Sequence, residues 1–200
     1  MRMPIKGRPF SGFTLVELMV TLAVATILLV LATPSFVDMI DKSRLKGVVD
    51  NSVDFIKDAR AESVKHNRNV SVAFGGTTTA WCVGAKAAGE SGVTAGDLIP
   101  AVTACDCDGG PSACTVGGQQ KVIASGANNG VGISTDPTSL PTIEFDGRLG
   151  TVKGLTSTAA TFSSPRKMFD LKMTVTPLGQ VSLCVPSTSK RAMSGYPSCS

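Results

Sequence analysis

Catalytic raw material is scarce in this sequence. Its 200 residues include one histidine, His66, flanked by Lys65, Asn67 and Arg68 with no partner evident in the sequence for acid–base work. There is no Gly-x-Ser-x-Gly elbow, no phosphate loop and no His-Glu-x-x-His pair. Isolated serines and threonines are abundant and single out no triad. These absences point away from an enzyme and give no reason to expect a cofactor. Charge is scarce too: 17% of residues are Asp, Glu, Lys or Arg, which is low for a cytosolic globular domain. The net charge is +4, but Arg2, Lys6 and Arg8 carry three of the 19 basic residues, and the remaining 16 face 15 acidic ones. The overall balance therefore leaves no electrostatic footprint for nucleic acid.

Apolar residues make up 42% of the chain, and they are unevenly spread. Residues 1–12 are basic and free of acids. Phe13 to Thr33 then runs 21 residues with a single charge, Glu17. As a helix this stretch is roughly 30 Å long, the thickness of a bilayer's hydrocarbon core. Basic residues before it and none immediately after predict a cytoplasmic N-terminus and an exported C-terminal body. A secretory signal needs a small-residue cleavage site beyond the apolar run, and Ala32-Thr33-Pro34 is a poor one. A plain anchor leaves Glu17 unexplained, because a carboxylate in the membrane costs about 2.5–3.5 kcal/mol on insertion scales. Cleavage between Gly12 and Phe13 explains it. Glu17 then lies about one turn from a new, charged amino terminus, and in side-by-side helices the carboxylate of one subunit meets the amine of the next.

Gly12-Phe13-Thr14-Leu15-Val16-Glu17-Leu18 resembles the class III signal of type IV pilins and type II secretion pseudopilins. The resemblance implies that a prepilin peptidase removes residues 1–12 as a leader and N-methylates Phe13. It assigns Glu17 to assembly, and Pro34 falls where the family places a helix-kinking proline. The implied setting is the bacterial inner membrane, with a single pass and a periplasmic body, followed by a pilus or pseudopilus. The implied partners are membrane lipid, other pilins or pseudopilins and the inner-membrane assembly platform.

Beyond Pro34 the helical pattern resumes. Leu45, Val49, Val53, Ile56 and Arg60 follow steps of three and four, widened by Val48, Phe55 and Ala59, with charges on the other face. This predicts an amphipathic continuation over 34–67 after a transmembrane or filament-core helix over 13–33. The stretch from Ala59 to Val72 resembles the GspH/FimT group of minor pilins and pseudopilins. Asn67 and Asn69 favour helix termination. From residue 68 to 200 the helical period gives way to short runs that read as strands: Val70–Phe74, Ala80–Val83, Lys121–Ala124, Thr142–Phe145, Ala160–Phe162, Phe169–Val175 and Gln180–Val185. Gly75-Gly76, Asp146-Gly147 and Leu178-Gly179 read as turns. The expected class is α+β, a long N-terminal helix packed on an antiparallel β-sheet body.

Six cysteines, Cys82, Cys105, Cys107, Cys114, Cys184 and Cys199, in an exported chain favour disulfides. Six allow 15 pairings. Residues 85–120 read as a Gly- and Ser-rich loop stapled by disulfides. A four-thiolate zinc site from Cys82, Cys105, Cys107 and Cys114 lacks the paired CxxC spacing. A calcium loop at Asp106 and Asp108 lacks the later glutamate. No metal is expected. Cys184 and Cys199 resemble the pair that bounds the C-terminal loop of many type IV pilins.

The resulting expectation is a minor pilin in the priming or tip complex of a type IV pilus, at low copy. One alternative is the minor pseudopilin H of a type II secretion machine. Another is a DNA-binding minor pilin for natural transformation. Some FimT-type proteins bind DNA through a Gly-Arg-x-Arg-like motif near the last hairpin. The corresponding Gly179-Gln180-Val181-Ser182 has no arginine, which leaves Lys190-Arg191 and Arg166-Lys167 as phosphate-contact candidates.

Overall fold

The structure, a computed structural model, describes residues 12–89, 105–107, 114–135 and 142–199, without the side chains of 31–34, 125 and 135. The leader up to Ser11, most of the expected cysteine-rich loop and Asp108 lie outside the described residues, as does the side chain of Pro34, on which the kink expectation rests. Contacts divide the chain into two units, Met1–Met39 and Ile40–Ser200.

Helix α1, Leu15–Lys65, runs through both. Thr14 starts it, its Oγ1 accepting the Glu17 N–H at 3.2 Å. Asn67 helps to end it. Its φ of 49° is left-handed, its N–H donates to Val64 O at 3.2 Å, and the Arg68 N–H donates to Ser63 O at 3.0 Å. Those two bonds are the Schellman closure, which asparagine tolerates better than most residues other than glycine.

In the second unit α1 continues from Ile40. Leu45, Val49, Val53, Ile56 and Ala59 are buried along one side of it, and they join one apolar cluster with the strands. The strands are β1 (Val70–Gly76), β2 (Trp81–Ala87), β3 (Thr115–Val116), β4 (Gln119–Gln120), β5 (Val122–Ile123), β6 (Gly132–Thr135), β7 (Thr142–Phe145), β8 (Thr158–Ser163), β9 (Asp170–Val175) and β10 (Val181–Cys184). They form two four-stranded antiparallel sheets, ordered β5-β2-β1-β7 and β10-β9-β8-β6, and the small hairpin β3-β4. The class is α+β, helix on antiparallel sheets. Trp81, Phe74 and Phe162 meet in the core with ring centroids 5.4 to 6.5 Å apart. The buried Trp81 Nε1–H donates to Val131 O at 2.9 Å, which satisfies the one polar atom of that side chain.

Two details differ from the sequence-based expectation. Gly75 and Gly76 are paired inside β1 rather than forming the turn. The reversal is made by residues 77–80, where the Ala80 N–H bonds Thr77 Oγ1 at 3.1 Å and the Thr77 N–H bonds Ala80 O at 3.1 Å. Strand β6 and the β3-β4 hairpin fall on sequence that gave no strand signal.

Candidate functional site

The N-terminal segment is built around its single charge. Thr14 and Glu17 have the Thr-x-x-Glu spacing of a capping box, a local signal that the apolar run obscured. The Glu17 carboxylate sits in the first turn of α1, where unpaired backbone N–H groups create partial positive charge that favours an acid. Around it, from Phe13 to Val30, every side chain is exposed in the isolated chain, Phe13 at 82%. The hydroxyls of this stretch are turned inward: Thr21 Oγ1 donates to Leu18 O at 2.9 Å, and Thr26 Oγ1 to Ala23 O at 2.8 Å. The segment thus offers an apolar sleeve with hydroxyls satisfied by its own backbone and one carboxylate near its start. Such a sleeve suits lipid or neighbouring helices far better than water. Among the described residues no single helix is long and apolar enough to cross a membrane; Leu15–Val30 and Ser35–Lys65 pass that test only together.

The family described as the prokaryotic N-terminal methylation motif matches residues 7–33. Its N-terminus carries the methylation motif of prokaryotic prepilins. No curated protein matches it. Among solved structures it is similar to the type IV minor pilin FimU of Pseudomonas aeruginosa in two crystal forms. One is 12% identical at a TM-score of 0.48, covering 72% of this chain and 91% of FimU. The other is 12% identical at 0.44, covering 69% and 90%.

The body carries three disulfides, Cys82–Cys107, Cys105–Cys114 and Cys184–Cys199. The first two stack over β2: a Cβ on Gly84 would lie 2.6 Å from both Cys105 Sγ and Cys114 Sγ. With all four sulfurs in disulfides, the zinc alternative has no thiolates to bind through. Asp106 is exposed beside them.

Cys184–Cys199 closes the C-terminal loop, which packs onto the body. Within the loop, the Val185 N–H donates to Pro197 O at 2.8 Å and the Cys199 N–H to Val185 O at 2.9 Å. Met193 is buried. Tyr196 is half-buried, and its phenol is raised above the usual range by burial and by the nearby Asp50 charge. The Arg191 N–H donates to Met168 O at 3.1 Å, so Lys190-Arg191 lies beside the turn carrying Arg166-Lys167. Arg166 also reaches the buried Asp41, Nε to Oδ2, at 3.9 Å.

His66, isolated in the sequence, has a structural partner in Glu62, 2.9 Å from Nε2 and one turn back on α1. Glu62 also pairs with Lys65 at 3.2 Å. The pair binds the helix end.

Proposed function

We propose that this chain is a structural subunit of a type IV pilus, a minor pilin of its priming or tip complex, incorporated through its N-terminal helix. Glu17 carries the reading. It is the one charge in an apolar sleeve, in the first turn, four residues from Phe13. Cleavage after Gly12 and methylation of Phe13 by a prepilin peptidase would leave a charged amino terminus there. A carboxylate and an amine from adjacent helices then neutralise one another in an apolar filament core, where either alone is costly. The role is structural rather than catalytic, and its partners are lipid before assembly and other pilins after it.

Deleting the gene and shearing pili from the cell surface tests the reading. Loss of surface pili, restored by the wild-type gene, is the expected result. Normal pili with exported enzymes trapped in the periplasm would instead make the chain a type II secretion pseudopilin.

The contact between Arg191 and Met168 favours one further reading, that the two basic dipeptides form a phosphate-contacting patch for DNA. A salt-dependent DNA shift that Lys190→Ala with Arg191→Ala abolishes is its expected sign.

A further inference from the structure

Beyond Ile40, the exposed large apolar side chains among the described residues are Val64 (48%), Leu149 (73%), Leu155 (66%) and Leu178 (60%). They are far apart in sequence, but the turns that carry the three leucines meet one another beside the end of α1. A Cβ on Gly150 would meet Val64 Cγ2 at 3.0 Å, and one on Gly179 would meet Gly150 O at 2.7 Å and Arg60 Nε at 2.8 Å. The absence of a side chain at these two left-handed glycines lets their turns close over the end of α1. Leu149 and Leu178 are the immediate chain neighbours of these two glycines, so the turns that carry them meet at the end of α1. The third turn joins through Val152, whose N–H donates to Pro177 O at 2.9 Å and whose carbonyl accepts the Leu155 N–H at 3.0 Å.

Leu155 is the unusual member. Its φ is 52°, a left-handed backbone that disfavours bulky residues and suits glycine or asparagine. Its side chain is mostly exposed, so burial within this chain does not compensate the strain. Observed strain of this kind clusters at functional surfaces. The surroundings are cationic. Arg60, Lys65, Arg68, Arg148 and Lys153 outnumber Glu62, Glu144 and Asp146, and each of these carboxylates is already engaged. Glu62 pairs with Lys65 and His66, Glu144 with Lys153 and Asn69, and Asp146 with turn N–H groups.

We propose that this patch, an apolar knob with a basic rim, docks a neighbouring pilin-type subunit through a helix surface that is apolar and bears carboxylates. The charge excess selects an acidic partner. This chain's own α1 shows the required chemistry at Phe36 and Met39, both exposed, flanking Asp38. The inference rests on the filament reading above.

The test places a photo-crosslinking amino acid at Leu149 or Leu178 of the full chain in its host, with Gln119 on β4 as the exposed control position. Sheared filaments are then analysed by mass spectrometry. The expected product joins either site to a helix peptide of a subunit that carries an N-terminal methylation motif. Its yield falls about tenfold in the Arg148→Glu, Lys153→Glu double variant. Leu155→Asn is expected to raise Tm by about 2–4 °C while lowering the same yield, a split that a purely structural leucine does not give. Crosslinks to lipid, to a protein without that motif or to this chain's own residues 90–104 overturn the proposal. So does a yield no higher than the Gln119 control, or one that Leu155→Asn leaves unchanged. Absence of the chain from sheared filaments overturns the filament reading itself, and docking falls with it.

Discussion

Asp146 shows how one side chain shapes a turn. Its Oδ1 accepts the N–H groups of Arg148 at 2.8 Å and Leu149 at 3.0 Å, and those two bonds hold its carboxyl below the ordinary carboxylate range. A folded value lower than the unfolded one means that the ionised form stabilises the fold. That stabilisation is fully present above the unfolded value of about 3.9 and is lost as pH falls through the folded value. Thermal melts of wild type and Asp146→Asn should therefore converge as pH falls below about 4; a gap that is constant from pH 7 to pH 3 would contradict the assignment. Gly84 shows the opposite case, a residue chosen for what it lacks. Gly84→Ala puts a methyl against two sulfurs, so thiol titration of the variant should find free thiols at Cys105 and Cys114 that wild type does not show.

Elements differ in how openly the sequence declares them. The second half of α1 was legible because its apolar period of three and four is what one buried face requires. Ile56, fully buried on that face, should lose about 2–5 kcal/mol on truncation to alanine, read by denaturant unfolding. Strand β9 was legible for the same reason at period two: Leu171, Met173 and Val175 are buried while Asp170, Lys172 and Thr174 are less so. The hairpin β3-β4 was not, because two-residue strands contain no period. Strand β6 is not legible locally because Gly132, Ser134 and Thr135 supply no apolar period, and its place is set by pairing with distant β8. The crossed pairing of Cys82 with Cys107 and Cys105 with Cys114 also depends on how residues separated in sequence pack over Gly84, which no local pattern encodes. The Cys184–Cys199 staple closes a Ser- and Pro-rich loop with few apolar anchors beyond Met193 and Tyr196. Replacing both cysteines by serine should cost on the order of 3 kcal/mol by the chain-entropy account, seen as a lower unfolding midpoint. An unchanged midpoint would show that the packing of Met193 and Tyr196 suffices.

At the scale of the whole molecule, the sequence divides labour between its two units. Residues 13–30 have sequence suited to an apolar surrounding and expose nearly all of it in the isolated chain. Ile40–Ser200 buries its own core and holds it with three disulfides. The methylation motif was legible because it is local: Gly12-Phe13 and Glu17 fall within the matched residues 7–33. The leucine patch was not, because turns around 149, 155 and 178 meet only in the fold. The measurement that tests the central claim most directly is the amount of this chain in sheared surface filaments, compared between wild type and Glu17→Ala expressed at equal membrane levels. The expected result is wild-type chain in the filaments and Glu17→Ala retained in the membrane. Equal amounts of both in the filaments would contradict assembly through Glu17.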